Sequence, residues 1–240
     1  MSVCLRYAKS RIRQLAFLLA LSLSSLMPLA SMAQDGPAQE VFLPKSDSGP
    51  VVVVVSGQSG TPHYRKFARE VAALGYYTVL IDGKDILTRV QDGAKNLRTV
   101  VSKAQASPKG SPDKAMVIGF SQGGGGVLAH AVAMPDLLKA AVVYYPATSW
   151  ARNIAGVVGR IQIPILVLAA ERDYYNNCCL VESMREMESA AKGRQVPLEL
   201  VVYPKAEHGF NLDGPSFRGD DTADAWRRTV EMLARHHPAK

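Results

Sequence analysis

Five consecutive valines, Val51–Val55, constrain this chain more than any other feature. β-branched side chains favour extended backbone, and a run with no polar alternation is covered by protein on both faces. A strand of that kind belongs inside a parallel sheet with helices on either side. The rest of the sequence repeats the pattern. Extended, apolar stretches are expected at Tyr77–Ile81, Ala115–Gly119, Ala140–Tyr145, Ile163–Ala169 and Leu198–Tyr203. Helical spacing is expected over 64–74, 86–105, 122–133, 179–191 and 220–235. Six strands alternating with helices, with no tight hairpin turns between them, predict an α/β fold. It is a doubly wound, mostly parallel sheet with helices on both faces. In such sheets a ligand site lies beyond the carboxyl ends of the strands, so functional residues should follow strands directly.

The ends of the chain read differently. Residues 1–33 hold Arg6, Lys9, Arg11 and Arg13 and no acidic residue, then an apolar stretch Leu15–Met27, then Ser31-Met32-Ala33. That order predicts a signal peptide cleaved after Ala33, hence a secreted or periplasmic protein. Residues 34–50 are rich in Gly, Pro, Ser and Asp and read as an exposed lead-in with room for an edge strand at Val41-Phe42-Leu43. Residues 51–240 form a single domain. The formal net charge is 28 − 21 = +7 for the whole chain, and 24 − 21 = +3 without the leader. No basic patch with interleaved aromatics remains, which argues against a nucleic-acid partner, and no other segment suits a membrane. Cys178-Cys179 is the only cysteine pair left in the mature chain. It is read as two thiols, free or partly buried, the alternative being a disulfide that stiffens its loop. By itself the pair can build neither a metal site nor a disulfide framework.

Gly119-Phe120-Ser121-Gln122-Gly123 follows an apolar strand and opens a helix. A serine on so sharp a turn needs glycine two residues to either side, and the helix start behind it favours developing negative charge. The alternative is a plain glycine-rich turn or phosphate cradle, but no phosphate-loop lysine follows. A serine needs a base. Of the five histidines, His208 follows the strand Leu198–Tyr203 and comes after the serine. His63 sits in the loop after the first long strand, and His130 sits among apolar residues of a helix. His236 and His237 close the last helix near solvent. Asp173 follows the strand Ile163–Ala169 and is the expected partner acid, with Glu171 as its competitor. The oxyanion donors are expected to be the N–H of Gln122 and, from Ser56-Gly57-Gln58-Ser59-Gly60, the N–H of Gln58.

With Gly119-Phe120-Ser121-Gln122-Gly123-Gly124, Asp173 and His208-Gly209-Phe210 in this order, the sequence resembles the α/β-hydrolase superfamily over about residues 50–236. Within it, the chain is most similar to the dienelactone hydrolase-like family, without room for a large cap. The resemblance implies ester hydrolysis by Ser121, Asp173 and His208, a small-molecule ester as substrate, and no metal or organic cofactor. Dienelactone hydrolases proper use cysteine where this chain has Ser121. They also carry a glutamate in the loop that here reads Ser56-Gly57-Gln58. Alternatives on the same triad are amide or peptide hydrolysis and polysaccharide deacetylation. A non-catalytic binding protein on a hydrolase fold is the alternative from another class. Residues following strands, Thr61-Pro62-His63-Tyr64, Ala147-Thr148-Ser149-Trp150 and Tyr174-Tyr175-Asn176-Asn177, are candidates for the pocket wall or for ordinary loop packing.

Overall fold

The structure, a computed structural model, describes residues 36–239. The expected signal peptide lies outside the described residues. Seven strands form one sheet in the order β1-β3-β2-β4-β5-β6-β7. They are β1 Glu40–Phe42, β2 Val51–Val55, β3 Tyr77–Ile81, β4 Ala115–Phe120, β5 Leu138–Tyr144, β6 Ile165–Ala170 and β7 Leu198–Tyr203. Every neighbouring pair is parallel except β1 with β3, where Val41 stands opposite Val79 in antiparallel register. The lead-in thus supplies the edge strand. Among the described residues, six α-helices connect or flank the strands: α1 Arg65–Ala73, α2 Gly93–Gln105, α3 Gln122–Ala129, α4 Ile154–Val158, α5 Val181–Arg194 and α6 Gly219–His236. Only the short α4 stands between β5 and β6, so no large cap covers the sheet there.

The valine run behaves as its composition demands. All five residues of β2 are fully buried. Val51, Val53 and Val55 face Leu97 and Val101 of α2 and Val127 of α3, whereas Val52 and Val54 face Val71 of α1 and Leu233 of α6. Burying each such aliphatic side chain contributes about 1.5–3 kcal/mol, which makes the two sides of β2 the centre of two cores.

Two helices are shorter than their periodicity predicts. The helix expected over 86–105 begins only at Gly93, because the Asp92 carboxylate accepts the Lys95 N–H (3.0 Å) and ends the preceding loop as an N-cap. The helix expected over 122–133 stops at Ala129. His130 is non-helical, and the chain turns to bring the Ala115 N–H to Leu137 O (3.0 Å) at the β4–β5 junction.

His237 corrects the expectation that the last histidines sit near solvent. His237 is 1% exposed, and Nε2 donates to the Val51 carbonyl at 2.9 Å. The ring stacks on Tyr76. The reason is topological: α6 packs across the sheet, so its end meets the start of β2. Burial, aided by the Lys139 charge, lowers the His237 pKa to about 4. The native chain therefore refuses a proton that the unfolded chain accepts below pH 6.5. Stability from this group is complete above pH 6.5 and declines as pH falls toward about 4, by about 3 kcal/mol in all. His237→Gln keeps a donor for Val51 and does not titrate. Urea melts across this window should show a smaller acid loss for the variant; equal losses would refute the assignment.

Candidate active site

The carboxyl ends of five adjacent strands deliver one cluster. Gln58 and Ser59 follow β2, Ser121 follows β4, Tyr145 follows β5, Asp173 and Tyr175 follow β6, and His208 follows β7. All but Asp173 line one cavity of about 320 Å³. Tyr64 and the segment 212–216 complete its wall.

Ser121 occupies the turn between β4 and α3 with φ 48°, a backbone conformation unusual for a non-glycine residue. The flanking glycines make the turn possible. A Cβ on Gly119 would come within 2.8 Å of Gly123 O and of Val127 Cγ2. A Cβ on Gly123 would come within 2.5 Å of Val55 O. The Gly123 N–H donates to Ser56 O (3.1 Å), which ties the helix start to the loop after β2. Ser121 is 6% exposed and its side chain does not cap the helix. Among the described residues its Oγ has no hydrogen-bond partner, so the hydroxyl is free to turn toward the cavity.

His208 Nδ1 and Asp173 Oδ2 are 2.7 Å apart. The Asp173 carboxylate is fully buried, and its other oxygen accepts the Tyr175 N–H at 3.2 Å. A buried carboxylate so held orients the imidazole as the Nδ1–H tautomer, leaving Nε2 as the acceptor. The competitor Glu171 is drawn away by Arg185, whose two guanidinium nitrogens lie 2.5 and 3.1 Å from its carboxylate. Both acids follow β6, which ends at Ala170, but only the later one lies where the loop turns back to meet His208 after β7. His208 and Ser121 share the cavity without a hydrogen bond between them among the described residues. Such contacts commonly tighten only when substrate is bound.

Aromatic rings hold the imidazole. Tyr175 stacks on it at 4.5 Å with an interplanar angle of 11°, and Tyr145 meets it edge-on at 4.8 Å. Tyr145 was not legible from sequence as a site residue. It lies one residue past β5 with φ 34°, fully buried, and its hydroxyl donates to Asn211 Oδ1 at 2.6 Å. Burial raises the Tyr145 pKa well above that of a free phenol, so it stays a neutral donor. Burial likewise raises that of Tyr64. A Cβ on Gly57 would overlap the Tyr64 hydroxyl and lie 3.2 Å from Ser121 Cβ, so Gly57 lets the two come together.

Gln58 is on the cavity wall, and Gln122 is the first residue of α3. Among the described residues neither N–H has a partner, as donors kept for a ligand oxygen require. The Gln122 side chain turns away, donating to Leu87 O at 2.9 Å. Of the loop candidates, Tyr64 and Tyr175 reach the cavity. Trp150 does not; its Nε1 donates to Ala147 O. His63 lines a neighbouring cavity of about 310 Å³ with Phe67 and Trp226. His130 packs against Gly93. Cys178 and Cys179 correct the expectation of two thiols: they are joined as a disulfide between adjacent residues. Asn176 and Asn177, both with positive φ, tighten the turn that leads into the pair.

This sheet, with a serine on a strained strand–helix turn and a carboxylate–imidazole pair at the next strand ends, defines an α/β hydrolase. The chain belongs to the dienelactone hydrolase family, whose model matches residues 83–237. A curated Escherichia coli K12 protein named "Putative carboxymethylenebutenolidase" is 28% identical over 224 residues, covering 80% of each chain. Among solved structures, a dienelactone hydrolase-like promiscuous phosphotriesterase from metagenomic libraries superposes with TM-score 0.65 at 18% identity. It covers 84% of this chain and 99% of that one. An esterase from Thermogutta terrifontis superposes with TM-score 0.62 at 19% identity, covering 82% and 86%.

Gly123→Ala tests the close approach that shapes the turn. Forcing a methyl against Val55 O should cost about 1–3 kcal/mol in urea melts and displace Ser121. An unchanged midpoint would show that the helix start is not tightly held.

Proposed function

We propose that the chain is an exported serine hydrolase that cleaves carboxylic esters through an acyl-enzyme on Ser121. The observation that carries this reading is the 2.7 Å contact between the buried Asp173 carboxylate and His208 Nδ1, with His208 lining the same cavity as Ser121. His208 Nε2 takes the Ser121 proton as Oγ attacks the ester carbonyl. Asp173 keeps the imidazole in the receiving tautomer and stabilises the imidazolium that forms. The N–H groups of Gln122 and Gln58 receive the oxyanion, at the positive end of α3. His208 then returns the proton to the leaving alcohol. A water activated by His208 attacks the acyl-Ser121 ester, and the acid departs. Tyr64, Tyr145 and Tyr175 give the cavity an apolar body with few polar points, which suits a small ester. Export rests on the basic, apolar and small-residue order of residues 1–33, with cleavage after Ala33.

Hydrolysis of short nitrophenyl esters tests the assignment. Ser121→Ala and Asp173→Asn should each lower kcat by a factor on the order of 10⁴. Glu171→Gln should stay near the parent rate, because Glu171 serves only an exposed ion pair. Fluorophosphonate should label Ser121 in the parent protein. Equal hydrolysis by parent and Ser121→Ala would sink the proposal.

A further inference from the structure

The segment that carries Asp173 also carries two sulfurs to the same imidazole. The Sγ atoms of Cys178 and Cys179 and a ring nitrogen of His208 all lie within 4.8 Å of one another. Sequence alone offered the cysteine pair no third donor; the fold supplies one from the loop after β7. Backbone contacts hold the pair in place. Cys178 O accepts the N–H groups of Thr148 (2.7 Å) and Ser149 (3.2 Å), and Cys178 N donates to Tyr175 O (3.0 Å). None of these bonds involves sulfur, so opening the disulfide leaves the loop tied to the segment after β5. Cys179 is 2% exposed, and Cys178 and His208 are half-buried, so the donors sit at a shielded but reachable wall.

We propose that Cys178, Cys179 and His208 form a redox-gated inhibitory site for a thiophilic divalent cation such as Zn²⁺ or Cd²⁺. Two thiolates and one imidazole suit such cations and do not suit Mg²⁺ or Ca²⁺. Zinc–sulfur bonds of about 2.3 Å and zinc–nitrogen bonds of about 2.0 Å place tetrahedral donors roughly 3.5–4 Å apart. The imidazole therefore needs to close on the sulfurs by at most about 1 Å, while the two sulfurs, bonded to each other in the disulfide, move apart once it opens. With the disulfide closed, both sulfurs are spent on each other and His208 remains free. A dithiol reductant transfers two electrons and two protons to the Cys178–Cys179 bond. Two thiols form, and the reductant leaves as its own disulfide. The cation then replaces the two thiol protons, which pass to solvent, and His208 adds a neutral donor. Either ring nitrogen serves the inhibition. Holding Nε2 removes the lone pair that takes the Ser121 proton, and holding Nδ1 breaks the bond to Asp173. The inhibitory consequence rests on the ester-hydrolase reading above; the binding itself does not.

The test uses the mature protein, oxidised or reduced with a phosphine and desalted without air, titrated with CdCl₂. The reduced protein is expected to bind one Cd²⁺ per chain with an ultraviolet thiolate-to-cadmium band, and the oxidised protein to show none. His208→Ala, reduced in the same way, should bind at least about tenfold more weakly, since even the loss of an outer-shell partner costs that much. Fluorophosphonate labelling of Ser121 should fall in the Cd²⁺-loaded reduced protein and return with a chelator. In Cys178→Ser, labelling should be indifferent to Cd²⁺. Equal Cd²⁺ affinity in parent and His208→Ala, or undiminished labelling of a Cd²⁺-saturated parent, would overturn the proposal. Should the oxidised parent not label at all, the serine-hydrolase reading fails separately, and the His208 dependence of Cd²⁺ affinity still decides whether the site exists.

Discussion

The hydrogen bond from the Gly123 N–H to Ser56 O, 3.1 Å long, joins the start of α3 to the end of β2, and the site is built outward from that junction. Parallel neighbours β2 and β4 end level with each other, Val55 beside Gly119. A helix can begin this close to both strand ends only where no side chain intervenes, which is why glycines flank Ser121 and line the buried face of α3. The same closeness puts the loop holding Gln58 beside the serine. The positive-φ conformation of Ser121 is thus held by sheet register and helix packing.

On the other side of the cavity the controlling fact is burial of one charge. Asp173 is 1% exposed, and its carboxylate is matched by the His208 ring and one backbone N–H. A buried carboxylate left without those partners would be costly, so the pair also organises the loops after β6 and β7. Tyr145 and Tyr175 pack against the imidazole and limit the ring's freedom. Tyr145 extends this control by anchoring Asn211, in the loop that also carries Leu212 and Asp213 to the cavity. One loop therefore places both the proposed base and part of the pocket wall.

Strand positions were legible because burial on both faces writes a direct signal, a β-branched run bounded by glycine, proline or polar residues. Helix extents were less so. The stretch 86–92 has helical apolar spacing but yields to the Asp92 cap, and 130–133 yields to the turn that returns the chain to β5. Ser121 and His208 were legible as strand-end residues of the right type. Asp173 and Glu171 could be ranked but not separated, since both follow the same strand, and only the position of Arg185 and the turn at Tyr175 divide them. His237 was misjudged because a helix end in sequence carries no record of what it packs against.

By itself the sequence determined the layered architecture, the glycine-flanked serine and the order serine, acid, histidine, since these depend on local preference and on period along the chain. Tertiary structure alone decided which acid meets His208, that Tyr64, Tyr145 and Tyr175 form the wall, and that two adjacent cysteines share space with an imidazole some thirty residues away. The physical reason is that neighbouring strand ends are brought within a few ångströms by hydrogen-bonded register, however far apart they stand in the chain. Contacts across those ends follow from the order of strands in the sheet, β4-β5-β6-β7, which no single segment encodes.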